Sequence, residues 1–469
     1  MAAGWAAAVI ATIAIALAMP FRLTDGDSCL YAAMAHDMAA GRTSWTAPVW
    51  DFHGMSYGPG TEGVCFHEHP PGALWLAALV ELCGAPVERA ALVANALWTL
   101  AAAGGVIAIA RRFVSRSASD LAGVVFLLHI GVMHYVQRAA LELPLAATAS
   151  WAVAAGLRLD RSRWWTLAAA AGVAGAVLTR GVLGLVPAGL LVVTCLDPKL
   201  RPPWRRLLAV FVLAAVPLVV FDRLHVHLAG EGCLAPTHVG FWSEYFGRQV
   251  LPSLQAGGTP HAVEGPTAAY FLGRFLLYSL PWSLLVLWRL VRGPRPLAAP
   301  EAWRLAAAWI VAVVLGLSLG SREGSRYLFQ AYVATSLLFV LALPRELSGK
   351  WAWAASTLVL LVLPAQIVLK QAFRERDEWW QTAEIAAQHR FRPGAESHPE
   401  ARGRTVSGPF QPEDDRMKSL LRFHLDAWVS SAPVTEMRGR QWVPGAGEDF
   451  PVGRVEFATP RGAVVDYAK

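Results

Sequence analysis

Apolar runs of about 20 residues, separated by short polar loops, recur along most of the chain. That is the length needed to cross the hydrocarbon core of a bilayer. The pattern predicts spans at 4–21, 89–110, 119–136, 139–157, 164–179, 182–196, 205–221, 268–288, 303–319, 327–343 and 351–369. The total is about eleven. The run "PPGALWLAALVELCG" (70–84) is too short to cross and predicts a helix lying at the interface. After residue 370 the pattern changes. The tail is polar and rich in Gly, Pro and Arg, and alternating stretches such as "VGRVEFA" (452–458) predict short strands. The expected fold is therefore mostly α. A polytopic transmembrane bundle (1–370) carries outer juxtamembrane helices, and a small α+β domain outside the membrane (371–469) follows it.

The polar loops set the orientation. Arg111, Arg112 and Arg116 share one loop, and Arg158, Arg161 and Arg163 another. Lys199, Arg201, Arg205 and Arg206 form a third group, and Arg289, Arg292, Arg295 and Arg304 a fourth. Basic loops stay cytoplasmic. With these spans, all four groups fall on the N-terminal side, so the N-terminus is expected in the cytoplasm. The first outer loop (22–88), a second large loop (222–267) and the tail then lie outside.

Composition agrees. The 469 residues are 55% hydrophobic and only 16% charged, with a mean hydropathy of +0.40. The 20 Trp suit the boundary between lipid and water. Lys and Arg are absent before Arg22, so the first run lacks the basic start of a signal peptide and reads as a span. A net charge of +7 suggests nucleic acid at first, but cytoplasmic loops account for it, and no nucleic-acid partner is expected. The five cysteines show no zinc-finger spacing. Cys29, Cys65 and Cys233 fall on the outer side, where a disulfide is open to them.

The candidate chemistry lies at the outer ends of the spans. Asp25 and Asp27 follow the first span in "DGDSCLYAAMAHDM". Glu68 and His69 sit in "FHEHPPGALW", and Arg138 and Glu142 in "QRAALELPLAA". Arg180 sits in "LTRGVLG", while Arg322, Glu323, Arg326 and Tyr327 sit in "GSREGSRYLF". Each has a plainer reading. Asp25 and Asp27 suit the start of a helix, and Arg138 and Glu142 suit a pair four residues apart along one. Arg180 and Arg326 suit interface anchors, and His69 a turn. Their gathering on one face is what points to a site. Arginines suit the oxygens of a phosphate, and a carboxylate among them suits a general base. A phosphate at the membrane edge implies a lipid phosphate. Glycosyl transfer from a lipid-linked monophosphate sugar follows, with no cofactor required.

These motifs resemble those of the GT-C glycosyltransferases, the superfamily of dolichyl-phosphate-mannose protein mannosyltransferases and aminoarabinose lipid A transferases. "DSCLYA" matches that family's Asp-x-x-x-Tyr-Ala segment, placing Asp27 in register with Tyr31. "HEHPP" is close to Phe-Glu-Lys-Pro-Pro, with Glu68 kept and His69 in place of Lys. "RAALELPL", "LTRG" and Arg326-Tyr327-Leu328 follow in family order over roughly 1–340. The resemblance implies a polyprenyl-phosphate sugar donor, an extracytoplasmic acceptor (lipid, glycan or protein) and an inverting transfer. Asp27 would activate the acceptor and Glu142 would assist. His69, Arg180, Arg322 and Arg326 would hold the donor phosphate. Asp25, Tyr31, Glu68, Arg138 and Tyr327 would support them. Some relatives bind a metal near the second motif, which leaves a divalent ion at Glu68 with His225, His227 or His261 open.

Two other functions fit the composition. A flippase of lipid-linked sugars would place its charges near the midplane of the membrane and break several helices. A catalytically degenerate relative would serve as a binding subunit, an alternative raised by His69.

Overall fold

The computed structural model describes residues 25–50, 64–232, 240–254, 267–291, 299–320 and 325–343, with Leu23 and short stretches after 350 that include five strands. The expected spans 4–21 and 351–369 (Ala354 apart), together with Arg322, Glu323, Cys233 and His261, lie outside the described residues.

Helix α1 (Gly26–Ala39) begins where Asp25, with extended backbone, accepts a hydrogen bond from the Ser28 N–H at 3.0 Å. Asp27 in its first turn complements the helix dipole. Two short strands, β1 (Val49–Trp50) and β2 (Val64–Cys65), pair antiparallel. Helix α2 (Gly72–Leu82) has 11 residues, about 16 Å, too short to cross a bilayer. Helix α3 (Val87–Ala110), with 24 residues, is long enough. Then come α4 (Arg116–Leu127), α5 (Ile130–Tyr135), α6 (Glu142–Gly156) and α7 (Arg163–Arg180). Next are α8 (Val186–Val193) and α9 (Trp204–Gly232). The short α10 (Phe241–Tyr245) runs through a π turn into α11 (Leu251–Leu254). Helices α12 (Thr267–Tyr278), α13 (Trp282–Val291), α14 (Pro300–Ser318) and α15 (Phe329–Ala342) complete the described helical part.

Four stretches are long and apolar enough to cross a membrane on length and composition: Val87–Ala110, Arg163–Leu196, Trp204–Leu228 and Pro300–Ser318. The chain is a multi-pass membrane protein. Along α9, Leu208, Val212, Val216, Val219 and Leu224 are exposed, a stripe that suits lipid rather than water.

Two expected spans are interrupted. The run 119–136 breaks between α4 and α5, where His129 takes extended backbone and stacks on Tyr332 with ring centroids 4.9 Å apart. The run 268–288 bends by 101° between α12 and α13. Pro281 lies in this break, and a proline turns the residue before it away from helical geometry.

The apolar run Arg163–Leu196 has 34 residues, about 51 Å as one helix, far more than a bilayer core. It folds back instead. Gly181 ends α7 with φ +56°, and a 3-10 turn (Gly181–Leu185) leads into α8. A Cβ added at Gly184 would lie 2.2 Å from the Ala176 carbonyl oxygen, so the turn lies directly on α7. Further on, Leu191 packs over Gly156 at the far end of α6. Gly181 is doubly constrained, because an added Cβ would also sit 2.1 Å from the Tyr245 hydroxyl. Gly181→Ala is expected to destabilise the fold by about 2 kcal/mol or more. Its apparent melting temperature in detergent checks this; an unchanged value would contradict the packing described.

The main core joins α3, α4, α6, α12, α14 and α15. A second cluster joins α1, α2 and the N-terminal half of α3, and it includes Ala383, Ala386 and Leu420 of the tail. These three tail residues pack against α1 and α2. Its described strands are β3 (Thr405–Ser407), β4 (Trp428–Ser430), β5 (Gly439–Pro444), β6 (Arg454–Thr459) and β7 (Gly462–Tyr467). They form one mixed sheet in the order β4-β3-β5-β7-β6.

Candidate active site

Two helix ends and one turn meet beside the start of α1. Its first turn carries Asp27. The first residue of α6 is Glu142, and the last of α7 is Arg180. The 3-10 turn Ser325–Leu328, which precedes α15, carries Arg326 and Tyr327.

These side chains form one charge cluster. Arg326 Nη1 pairs with Asp27 Oδ2. Arg326 Nε lies 3.8 Å from Glu142 Oε1, and Arg180 Nη2 lies 3.3 Å from that same oxygen. The Tyr327 ring sits under both guanidinium groups, 4.9 Å from Arg180 and 5.6 Å from Arg326. Burial divides the cluster. Glu142 and Arg180 are 5% and 2% exposed, whereas Asp27 is 47% and Arg326 33% exposed. A closed pair stands behind an accessible one.

Arg180 is not an interface anchor, because its guanidinium is enclosed. Neither Nη1 nor Nη2 has a hydrogen-bond partner. Buried donors are normally satisfied, and a guanidinium is built to give parallel bonds to the oxygens of an anion. Nor does Arg138 pair with Glu142 along a helix. Arg138 precedes α6, and its Nη1 lies 4.0 Å from Asp25 Oδ1 instead. Asn95 of α3 fixes that approach by donating to the Tyr135 and Arg138 carbonyls at 2.7 and 2.6 Å.

Tyr31 lies four residues after Asp27 and is buried. Burial first, and then the Asp27 carboxylate, push its hydroxyl well above the usual tyrosine value, against the opposing pull of Arg180 and Arg326. Tyr31 is therefore a neutral hydroxyl at physiological pH. Glu68 also bears on it through its charge. His69 follows Glu68 in the bend before α2, with its ring 6.3 Å from Phe66, which in turn meets Tyr31 edge-on at 6.3 Å. The first two motifs thus share one patch through Phe66. Beside it is a small, half-open cavity of about 20 Å³. It lies between Tyr31, Leu74, Asn95, Trp98, Leu141 and Pro144, the last two flanking Glu142.

Of the histidines considered for a metal, the described pair, His225 and His227, point to different surroundings. His225 Nε2 faces His67 Nε2 at 3.0 Å, and His225 Nδ1 donates to the Thr46 carbonyl at 2.8 Å. His227, two residues further along α9, is exposed on another face. Among the described residues, no group of three His, Cys, Asp or Glu side chains fits a metal. Burial and then the nearby His225 hold the His67 imidazole down at about 3, so it is neutral. Sequence reasoning missed His67, Thr46 and Asn95. His67 lies inside "FHEHPP", where a second histidine was the available signal. Nothing local marks Thr46, whose backbone does the bonding.

Known proteins share both a stretch of this sequence and this fold. Residues 68–221 match the family model described as dolichyl-phosphate-mannose-protein mannosyltransferase. No curated protein sequence matches the chain. Its fold is similar to ArnT from Cupriavidus metallidurans bound to undecaprenyl phosphate, at 18% identity and a TM-score of 0.67 over 98% of this chain and 97% of that one. The apo state of that ArnT gives 17% identity and a TM-score of 0.71, over 98% and 96% of the two chains. The Archaeoglobus fulgidus oligosaccharyltransferase in complex with Zn and sulfate is more distant, at 13% identity and 0.52, covering 93% of this chain and 63% of that one. The resemblance carried by the motifs is thus met by the family model over part of the chain and by the fold over nearly all of it.

Proposed function

We propose that this protein transfers a sugar from a polyprenyl-phosphate-linked donor to an extracytoplasmic acceptor, with inversion at the anomeric carbon. The observation that carries this reading is the cluster itself. Asp27, Glu142, Arg180 and Arg326 come from four distant segments and meet where a buried guanidinium has two unsatisfied nitrogens.

Each group has a role in such a transfer. Asp27, the accessible carboxylate, takes the acceptor proton. The acceptor oxygen then bonds to the sugar as the bond from sugar to phosphate oxygen breaks. Arg180 and Arg326 take up the charge of the departing phosphate, with His69 and Arg322 completing its surroundings. Glu142 holds both guanidiniums in place. Asp25 caps α1 and engages Arg138, and Tyr327 supports the two arginines. No step needs a metal.

The site is assigned to the extracytoplasmic side, with the N-terminus in the cytoplasm. Three observations support this. Cys65, beside the second motif, is disulfide-bonded, which suits an oxidising compartment. The basic turns lie at the opposite helix ends, where Arg158 bonds the Ala108 carbonyl and Arg304 pairs with Asp197. The tail residues Ala383, Ala386 and Leu420 pack with α1 and α2, which supports placing the tail on the same side as the site. The reversal at Gly181 supports counting 164–179 and 182–196 as two of eleven or so spans.

Mass spectrometry of lipids and glycans from cells with and without the gene tests the reading. One glycoconjugate is expected to lack one sugar in the deletion strain. An unchanged glycoconjugate profile would contradict it.

A further inference from the structure

The cluster is already balanced in charge. Two carboxylates, Asp27 and Glu142, face two guanidiniums, Arg180 and Arg326. A sugar phosphodiester brings one more negative charge, and the phosphate monoester left after transfer carries another at neutral pH. Some positive charge must become available as the bond breaks.

The geometry shows where it can come from. Glu142 and Arg180 are enclosed, and Glu142 touches both guanidiniums. Asp27 and Arg326 form the accessible pair. Resting on the proposed transfer, we propose that Arg326 is handed from Asp27 to the departing phosphate in the step that protonates Asp27. The acceptor O–H gives its proton to Asp27, and its oxygen forms the new bond to the anomeric carbon. The bond from that carbon to the phosphate oxygen breaks, and its electron pair stays on the phosphate. Asp27 becomes neutral as the phosphate gains a charge. A neutral carboxyl no longer holds Arg326 as an ion pair. Arg326 then turns to the phosphate without leaving the Tyr327 ring, which it shares with Arg180.

The same pairing makes the base respond to the donor. With the site empty of phosphate, Arg326 pairs with the Asp27 carboxylate and occupies an oxygen that the acceptor proton needs. A bound phosphate that draws on Arg326 leaves that oxygen open. Asp27 is thus a base that works fully only when donor is in place, which disfavours reaction with water or acceptor alone.

The test is binding rather than turnover. Undecaprenyl phosphate is titrated into the purified full-length protein in nanodiscs, with undecaprenol as the uncharged control. Asp27→Asn imitates the protonated base. It is expected to bind the phosphate about fivefold tighter than wild type, a fold-change in the range for releasing one partly exposed ion pair. The gain should vanish in the Arg326→Gln background, as a double-mutant cycle requires. Asp25→Asn, which removes a neighbouring charge paired with Arg138 instead, should leave affinity within about twofold. Asp27→Ser serves if the Asn variant does not fold. Binding that depends on Arg180 and Arg326 but is unchanged by Asp27→Asn overturns the handover and leaves the proposed transfer standing. An equal gain from Asp25→Asn does the same. If no variant prefers undecaprenyl phosphate to undecaprenol, the donor-phosphate reading itself fails.

Discussion

Asp27→Asn is expected to abolish sugar transfer while the chain still folds and inserts. Asn keeps the size of the side chain, and the cap of α1 is provided by Asp25. What it loses is the capacity to accept a proton. A positioned general base contributes about 10²–10⁴-fold to rate, so kcat should fall by that range. The apparent affinity for donor should not weaken, because the phosphate ligands are untouched. The check is transfer activity measured beside thermal unfolding. Transfer at the wild-type rate would remove Asp27 from the chemistry, and a collapsed melting curve would make its role structural.

The second large effect is expected at Arg180. Arg180→Ala leaves Glu142 buried with only the 3.8 Å approach of Arg326 Nε. Breaking a buried pair by removing one partner destabilises by about 3–5 kcal/mol; the remaining Arg326 contact places this case near the lower end. The variant should melt well below wild type and lose affinity for undecaprenyl phosphate. Arg180→Lys keeps the charge but not the planar pair of donors, so stability should recover more than transfer does. Joining Arg180→Met to Glu142→Gln removes both charges and should restore much of the stability without restoring transfer. If Arg180→Ala melts like wild type, the enclosed pair does not hold this end of the bundle together.

Much of this was legible in the sequence because two simple periodicities carry it. The apolar runs marked the helices, since a bilayer leaves the backbone few other options. The cap at Asp25 was legible because a helix start needs an acceptor for its free N–H groups. The sequence also placed Asp27, Glu142, Arg180 and Arg326 on one face. It did not reveal which of them touch. Arg138 and Glu142 look like helix partners at their spacing, yet a helix starts between them and sends Arg138 to Asp25. Arg180 looks like a snorkelling side chain, yet the reversal at Gly181 encloses it. That reversal depends on a close approach by Tyr245 from 64 positions further along, and no local pattern encodes such a contact. The breaks at His129 and Pro281 were hidden for another reason. Hydropathy averages over a window and passes smoothly across a single polar residue or proline.

The pairing of His67 with His225 follows the same logic. The motif "FHEHPP" carries two histidines, and the buried His67 meets one imidazole from the far end of α9 and remains neutral. The charged work is left to the arginines, where an always-cationic side chain suits a phosphate.

The central claim is that this charge cluster moves a sugar from a lipid phosphate. Its most direct test uses membranes from a strain lacking the gene, which hold donor and acceptor without the enzyme. Purified wild-type protein is added, and mass spectrometry follows both pools. The account predicts that one glycoconjugate gains the mass of one sugar while a polyprenyl-phosphate sugar falls by the same amount, and that Asp27→Asn protein produces neither change. An absence of any sugar-mass shift with wild-type protein, or an equal shift with Asp27→Asn, would contradict it.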